Sequence, residues 1–433
     1  MPRILKDLLR KIVPPQVLSY YHLFLAYLGA MLYGSPSRKL MVIGVTGTKG
    51  KTSVTEMINA ILEEAGYTTA VLNSIRIKLA SDSEDNTMRM SMPGRFYIQK
   101  FLAHAVKENC TAAILEMTSE GARQSRHRGI ELDALVFTNL APEHIESHGS
   151  YEAYADAKFS LAKALERSRK RPRVMVANAD DKEGPRYLAL KVEKALPFTL
   201  SAHTPYSADE RGGSFAFEGQ TISLSLPGEF SLANALAAAT TARALDIDTA
   251  TIVRALGKMK DIPGRGERIE LGQEFTVVID YAHTPDSLLA LYNAYKNTRK
   301  ICVLGSMGGG RDTWKRPLMG KIAEEHCDMV ILTDEDPCDE GPRQIVEDIA
   351  KGMTKRPEVV MDRRRAISSA LEIALSLSKN TPRQNARGDQ NSVAVLITGK
   401  GTNHEICGPG GKNIPWSDKE VAQEELEALL EHV

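Results

Sequence analysis

The run TGTKGKTS, residues 46–53, combines glycines, a lysine and neighbouring hydroxyls, the residue types that hold a phosphate chain. Glycines at 47 and 50 let backbone N–H groups approach an anion with no Cβ in the way. Lys51 reaches the β- and γ-phosphates, the Thr52 hydroxyl reaches Mg2+, and Thr48 and Ser53 complete the turn. An apolar, β-leaning run (residues 40–45) precedes the turn, and the amphipathic pattern VTEMINAILEEAG follows it. The order is therefore strand, turn, helix, with the positive end of the helix dipole aimed at the anion. The longer spacing G-x-x-x-x-G-K-[ST] is not met, because Val45 stands where its first glycine belongs; the shorter G-T-x-G-K-T is what is present. A plain structural turn is the alternative, and the agreement of strand, turn and helix favours a nucleotide site.

Two further apolar runs end in groups able to share that site. Residues 111–115 read as a buried strand followed at once by Glu116, and residues 134–138 as another, followed by NLAPEHIESHGSYEAYADAKFSL with His144. In a parallel sheet, side chains at the carboxyl ends of strands converge on one crevice, which brings Glu116 and His144 toward the phosphates. A carboxylate there is a natural Mg2+ ligand. The competing readings are a solvated strand end for Glu116 and a hydrogen-bonded loop imidazole for His144.

The elements that must position these groups fit an ordinary globular chain. At roughly 150 residues per domain, 433 residues make two or three domains. Lys+Arg and Asp+Glu both number 55, charged residues are 25% and hydrophobic ones 42%, which excludes a disordered or collagen-like chain. The charge balance also argues against a nucleic-acid binder. Five cysteines without a C-x-x-C read as reduced thiols of a cytoplasmic protein, not as a disulfide frame or a zinc site. Residues 1–11 carry Arg3, Lys6, Arg10 and Lys11 against Asp7, and residues 12–37 carry no Asp, Glu, Lys or Arg. The apolar run over 17–33 is marginal against the ~20 residues of a spanning helix. Three readings stand: packing on the protein's own body or in a dimer, peripheral membrane contact at the inner face, and spanning.

From about Met41 onward the motifs resemble the Mur ligase family, the ATP-dependent amide ligases of peptidoglycan precursor synthesis. TGTKGKTS resembles the family's ATP loop, with Lys49 where Asn is more usual, and LEMTSEG its Mg2+ carboxylate strand. TNLAPEHIESHGSYEAYADAKFSL resembles the segment with a metal-binding His and a carbamylated Lys. LPGEFSLANALAAATTA, IPGRGERIE, VVIDYAHTPDSL, GSMGGGRDTWKRPLMG, TDEDP and ITGKGT follow in order. DYAHTPDS, KRPLMG and GKG look most like the branch that adds the third peptide residue. The resemblance implies that Lys51 and Thr52 bind ATP phosphates and Mg2+, that Glu116 and His144 hold Mg2+, and that Lys158, once carbamylated, binds a second ion. It places Asn234, Arg265 and Asp280 against the nucleotide and leaves His283 to shape the DYAHTP turn.

The expected fold class is α/β: a central P-loop-type ATPase domain with a mostly parallel sheet, over residues 39–261, and a C-terminal Rossmann-like domain, over 262–433, after an apolar N-terminal helical segment, 1–38. Residues 213–230 alternate like an antiparallel pair, and five apolar runs beyond IPGRGER alternate with helical stretches, implying a doubly wound sheet. The front departs from the family, whose members begin with a UDP-sugar-binding domain where this chain has 38 apolar-rich residues. Either the uridine part is bound differently or the acceptor is not a UDP-sugar.

The expected reaction is ATP-driven amide formation between a muramoyl-peptide acceptor and an amino acid, through an acyl phosphate. Diaminopimelate-adding relatives carry D-N-P-R, whose Arg grips the distal carboxylate; here TDEDPCDE puts Cys338 at that position among acidic neighbours that include Asp334 and Asp336. That setting favours a side-chain ammonium, as in lysine or another diamine. Arg311 is the candidate for the α-carboxylate and Glu405 for the side-chain amine. A folylpolyglutamate synthase-like or other acid–amino acid ligase is the first alternative, and DYAHTP in place of a DGAHNP-type segment speaks against it. A non-catalytic nucleotide-binding module is the second, opposed by the joint presence of Lys51, Thr52, Glu116, His144 and Lys158.

Overall fold

A computed structural model of the protein describes residues 15–88, 90–143, 145–310, 312–379 and 392–431. The chain forms two units. One holds the described residues up to Pro142 with His148–Ala202 and Asn234–Leu256; the other holds Glu143–Ser147, His203–Ala233 and the described residues from Gly257 on.

The first unit is built on eight strands: β1 (Met41–Thr46), β2 (Thr69–Leu72), β3 (Arg76–Leu79), β4 (Asp82–Asp85), β5 (Ala112–Glu116), β6 (Ala134–Phe137), β7 (Val174–Asn178) and β8 (Lys194–Phe198). Their order is β4-β3-β2-β5-β1-β6-β7-β8. The six from β2 to β8 in that row pair in parallel, while β3 and β4 form an antiparallel edge. Strands covered on both faces need continuous apolar residues, not alternation, and MVIGVT and AAILE meet that need. The edge strand DSED is exposed throughout, and its charges discourage pairing with another chain. The helix Lys51–Glu64 buries Val54, Met57, Ile58, Ile61 and Leu62, one face at helical spacing.

Strand register decides what surrounds the phosphate loop. β1 lies between β5 and β6, with Val45 opposite Glu116 and Thr46 opposite Phe137. The polar residues that end or follow those two strands therefore flank the turn that leaves β1.

In the second unit, β12 (Glu267–Ile269), β13 (Thr276–Asp280), β14 (Arg299–Leu304), β15 (Met329–Leu332), β16 (Glu358–Val359) and β17 (Val393–Thr398) form a sheet in the order β12-β13-β17-β14-β15-β16. β13 to β16 in that row are parallel and β12 is an antiparallel edge. Apolar clusters lie on both faces. One is lined by Ala366, Ile367 and Leu371 with Val421 and Leu426, the other by Leu288, Leu291, Met319 and Ile349. The five expected strands are present, and the doubly wound form follows from helices on both sides. The alternating segment folds as the expected pair: β10 (Gly212–Phe217) lies antiparallel to β11 (Gln220–Leu224), with Phe215 opposite Ile222, and β9 (Ser207–Asp209) pairs with the other edge of β10.

The expectation of five reduced thiols does not hold. Cys302 is bonded to Cys327 and Cys338 to Cys407, leaving buried Cys110 as the free cysteine. Sequence spacing cannot show this, because partners separated by 25 and 69 residues are brought together only by the sheet and its loops. Thiol titration of the denatured, unreduced protein is expected to find one thiol per chain; five would show that the pairs are open dithiols.

No helix among the described residues is long and apolar enough to cross a membrane. The helix Pro15–Leu32 packs on the helix Arg95–Lys107, burying Ala26 and Ala30 and setting Gly29 against Phe96 and Gln99. His22 Nδ1 lies 2.8 Å from the Arg95 guanidinium.

Candidate active site

The turn after β1 takes the shape its glycines allow. Gly47 and Gly50 have φ of 149° and 81°, a region that disfavours side chains. A Cβ at Gly47 would lie 1.9 Å from Thr138 Oγ1, and one at Gly50 would lie 2.3 Å from Asn234 Oδ1. The turn is held from β6: Thr138 Oγ1 donates to the Lys49 carbonyl at 2.6 Å, and the Lys49 N–H donates to Asn139 Oδ1 at 2.9 Å. Thr48 contributes to the frame, its N–H donating to the Asn139 carbonyl at 2.8 Å and its hydroxyl lying 2.9 Å from the Tyr154 hydroxyl. The helix begins at Lys51, whose Nζ donates to the Thr48 carbonyl at 2.9 Å, and Ser53 is buried in its first turn.

Three expected groups meet this turn. Thr52 Oγ1 donates to Glu116 Oε2 at 2.9 Å. Lys158, 2% exposed, donates from Nζ to the Gly47 carbonyl at 2.5 Å. Asn234 sits against Gly50. Lys158 is carried by the helix Tyr151–Arg167, capped by the Ser150 hydroxyl, which accepts from the Ala153 N–H at 3.1 Å. His144 lies outside the described residues. Among the described residues no group of three or more His, Cys, Asp or Glu side chains is placed to hold a metal ion. The hydroxyl and carboxylate oxygens of Thr52 and Glu116 nonetheless suit a hard cation.

Sequence reasoning missed Ser74. Its N–H donates to Glu116 Oε2 at 3.0 Å and its hydroxyl is 2.8 Å from Thr52 Oγ1. The available signal was positional: Ser74 follows β2, which pairs with β5 in parallel, so it ends at the same side of the sheet as Glu116.

The second unit gathers the remaining candidates in two groups. Asp280 accepts from the N–H groups of Gly266 and Ala282, each at 2.6 Å, and so ties the IPGRGER turn to the DYAHTP turn. Arg265 lies 4.5 Å from the Tyr281 ring centre, and its Nη1 donates to the Gly264 carbonyl at 2.9 Å. His283 sits 2.7 Å from the Tyr281 carbonyl and 3.1 Å from Glu143 Oε1.

The other group joins the TDEDPCDE loop to the loop after β17. Asp336 accepts from the Cys407 N–H at 2.6 Å and pairs with buried Lys400 at 3.0 Å; Cys338 is bonded to Cys407. A free thiol at 338 is therefore not what the structure has. Glu405 accepts from the Asn413 side chain at 2.6 Å. The acidity read from the sequence is partly neutralised internally, since Glu340 pairs with the fully buried Arg316 at 2.6 Å. Asp334 is half-buried, and burial pushes its carboxyl above the usual range. Arg311 lies outside the described residues.

Glu335, absent from the expected set, is buried against Gly305 and the Gly399 turn, with Oε2 unpartnered. Burial pushes its carboxyl from 4.5 up to about 7, against the pull of Arg363, Lys400 and Lys315 and with a push from Asp336. Between those two values the folded protein binds one more proton than the unfolded chain, so stability falls as pH rises through the window and levels above it. Glu335→Gln is expected to remove that slope and to stabilise the protein at pH 8 by on the order of 3 kcal/mol. Urea midpoints at pH 5 and pH 8 read the effect; an unchanged slope would contradict it.

Comparison with known proteins finds two family domains along the chain. The Mur ligase middle domain matches residues 45–242, and the Mur ligase, glutamate ligase domain matches residues 264–401. A UDP-N-acetylmuramoyl-L-alanyl-D-glutamate--2,6-diaminopimelate ligase of Syntrophomonas wolfei is 33% identical over 93% of this chain and 81% of that protein. A UDP-N-acetylmuramyl-tripeptide synthetase of Roseiflexus sp. is 34% identical over 94% and 82%. The solved structure of a UDP-N-acetylmuramoyl-L-alanyl-D-glutamate--2,6-diaminopimelate ligase superposes with a TM-score of 0.59 at 26% identity, over 90% of this chain and 79% of that one. Mycobacterium tuberculosis folylpolyglutamate synthase complexed with ADP gives 0.68 at 19% identity over 91% and 94%, which shows a shared fold. The chain belongs to the Mur ligase family.

Proposed function

We propose that the protein is an ADP-forming acid–amino acid ligase that adds an amino acid to a muramoyl-dipeptide. What carries the reading is the convergence of Thr52, Glu116 and Lys158 on the Gly47–Thr52 turn, each within hydrogen-bond distance of the turn or of its partner there. In this reading residues 39–261 hold the nucleotide phosphates, and residues 262–433 supply Arg265 and Asp280 to the nucleotide and the amino-acid subsite.

The acceptor's terminal carboxylate oxygen attacks the γ-phosphorus and ADP leaves, giving an acyl phosphate. The incoming amine then attacks the acyl carbon, loses a proton, and inorganic phosphate departs as the amide forms. Lys51 spreads the charge that develops on the transferred group, and the turn's N–H groups fix it in line. Mg2+, held by Thr52, Glu116 and His144, supplies further charge neutralisation when bound. Lys158 takes part as a carbamate: its neutral amine attacks CO2, an N–C bond forms and one proton is lost, turning a cation into an anionic oxygen ligand.

The added amino acid is a diamine without a distal carboxylate, because position 338 carries a bonded sulfur and no cation for a second carboxylate. The protein acts in the cytoplasm, with residues 12–37 in peripheral contact with the inner face of the membrane. An ADP-release assay with the acceptor varied tests the class: release with UDP-muramoyl-dipeptide is expected. Release with a folate or poly-γ-glutamate acceptor alone would move the assignment to the alternative ligase.

A further inference from the structure

The N-terminal helix is packed inside out. Its small residues Ala26, Gly29 and Ala30 meet the body and Leu18, Leu23, Leu25 and Leu28 are half-buried, whereas its aromatic residues and Met31 point away. Tyr20 is 73% exposed, Phe24 64%, Tyr27 54% and Met31 69%, and with Val17 they form a stripe at steps of three and four residues. A helix that serves only its own core buries the large side chains and leaves polar ones outside. An apolar face of this kind marks an interaction site.

Charge selects the occupant. The stripe contains no charged residue, yet cations bracket it: Arg3, Lys6, Arg10 and Lys11 come before, and exposed Arg38 and Lys39 after. A second copy laid on this face would bring like charges together and would bury the Tyr20 and Tyr27 hydroxyls in an apolar seam. A lipid surface does neither, since ring bodies sit among acyl chains, hydroxyls stay at the wet headgroup level, and anionic headgroups neutralise the flanking cations.

We propose that the face bearing Val17, Tyr20, Phe24, Tyr27 and Met31 docks on an anionic phospholipid surface, lying in its plane while the opposite face stays on the protein. This deepens, and rests on, the membrane contact proposed above by naming its lipid chemistry and its inserted residues. Sedimentation of the full chain with vesicles of phosphatidylcholine, with and without phosphatidylglycerol, tests it. Binding to the anionic vesicles is expected, at least ~10-fold weaker to the neutral ones and weakened by salt. The double variant Phe24→Ser/Tyr27→Ser should lose at least ~10-fold in vesicle affinity while keeping its vesicle-free ADP-release rate.

Equal binding to neutral and anionic vesicles would overturn this inference and leave a membrane contact standing. Failure to bind either kind would overturn both. A lipid-free dimer abolished by the double variant would assign the face to a second copy and overturn the lipid proposal.

Discussion

Lys51→Ala is expected to lower turnover by about 10³-fold, with the fold intact. The side chain starts the helix Lys51–Glu64 and arches back to the Thr48 carbonyl, so its ammonium already lies over the turn proposed to hold the phosphates. Its removal takes away a cation aimed at charge that grows in the transition state, which costs rate more than substrate affinity. Half-exposed at a helix start, it carries little of the core, and circular dichroism should be unchanged. A variant retaining more than about a tenth of wild-type turnover would remove the phosphate role.

Lys158→Ala is expected to cost about 10²–10³-fold in turnover, for a different reason. As an ammonium against the Gly47 carbonyl, this buried side chain would put a positive charge beside the proposed divalent-cation site. Converted to a carbamate, the same side chain offers oxygen in its place. The two forms predict different rescue. Short carboxylates such as acetate should restore part of the activity of Lys158→Ala by filling the vacated space with an oxygen anion, and Lys158→Arg should stay inactive. If arginine restores turnover and acetate does not, the residue works as a cation and the carbamate assignment falls. Because the side chain is buried, a thermal melt of each variant separates loss of fold from loss of function.

Much of the geometry of the Gly47–Thr52 turn was legible because it is local. A strand, two glycines and a Lys-Thr pair lie within a dozen residues, and each imposes its own geometry on the next. Glu116 was legible through one general rule, that groups at the carboxyl ends of parallel strands share a crevice. Strand order was not legible. Only with β1 set between β5 and β6 do Thr138 and Asn139 become the clamp on the turn, and only with β2 beside β5 does Ser74 become the partner of Glu116.

The second unit shows the opposite limit. Its strands could be read from apolar runs, but the state of its charges could not. TDEDPCDE reads as one acidic patch, whereas folding pairs Asp336 with Lys400, pairs Glu340 with Arg316 and buries Glu335. Cys338–Cys407 escaped for the same reason, since the contact joins two loops far apart in the chain. In the N-terminal helix the sequence showed an apolar run, and only packing revealed which side faces outward.

The most direct test of the central assignment is the mass of the product formed from ATP, UDP-muramoyl-dipeptide and a panel of amino acids. The account predicts a muramoyl-tripeptide heavier than the acceptor by one amino acid less water, matched by ADP mole for mole, with lysine or a related diamine preferred over diaminopimelate. No ADP and no mass change with any muramoyl acceptor would contradict it.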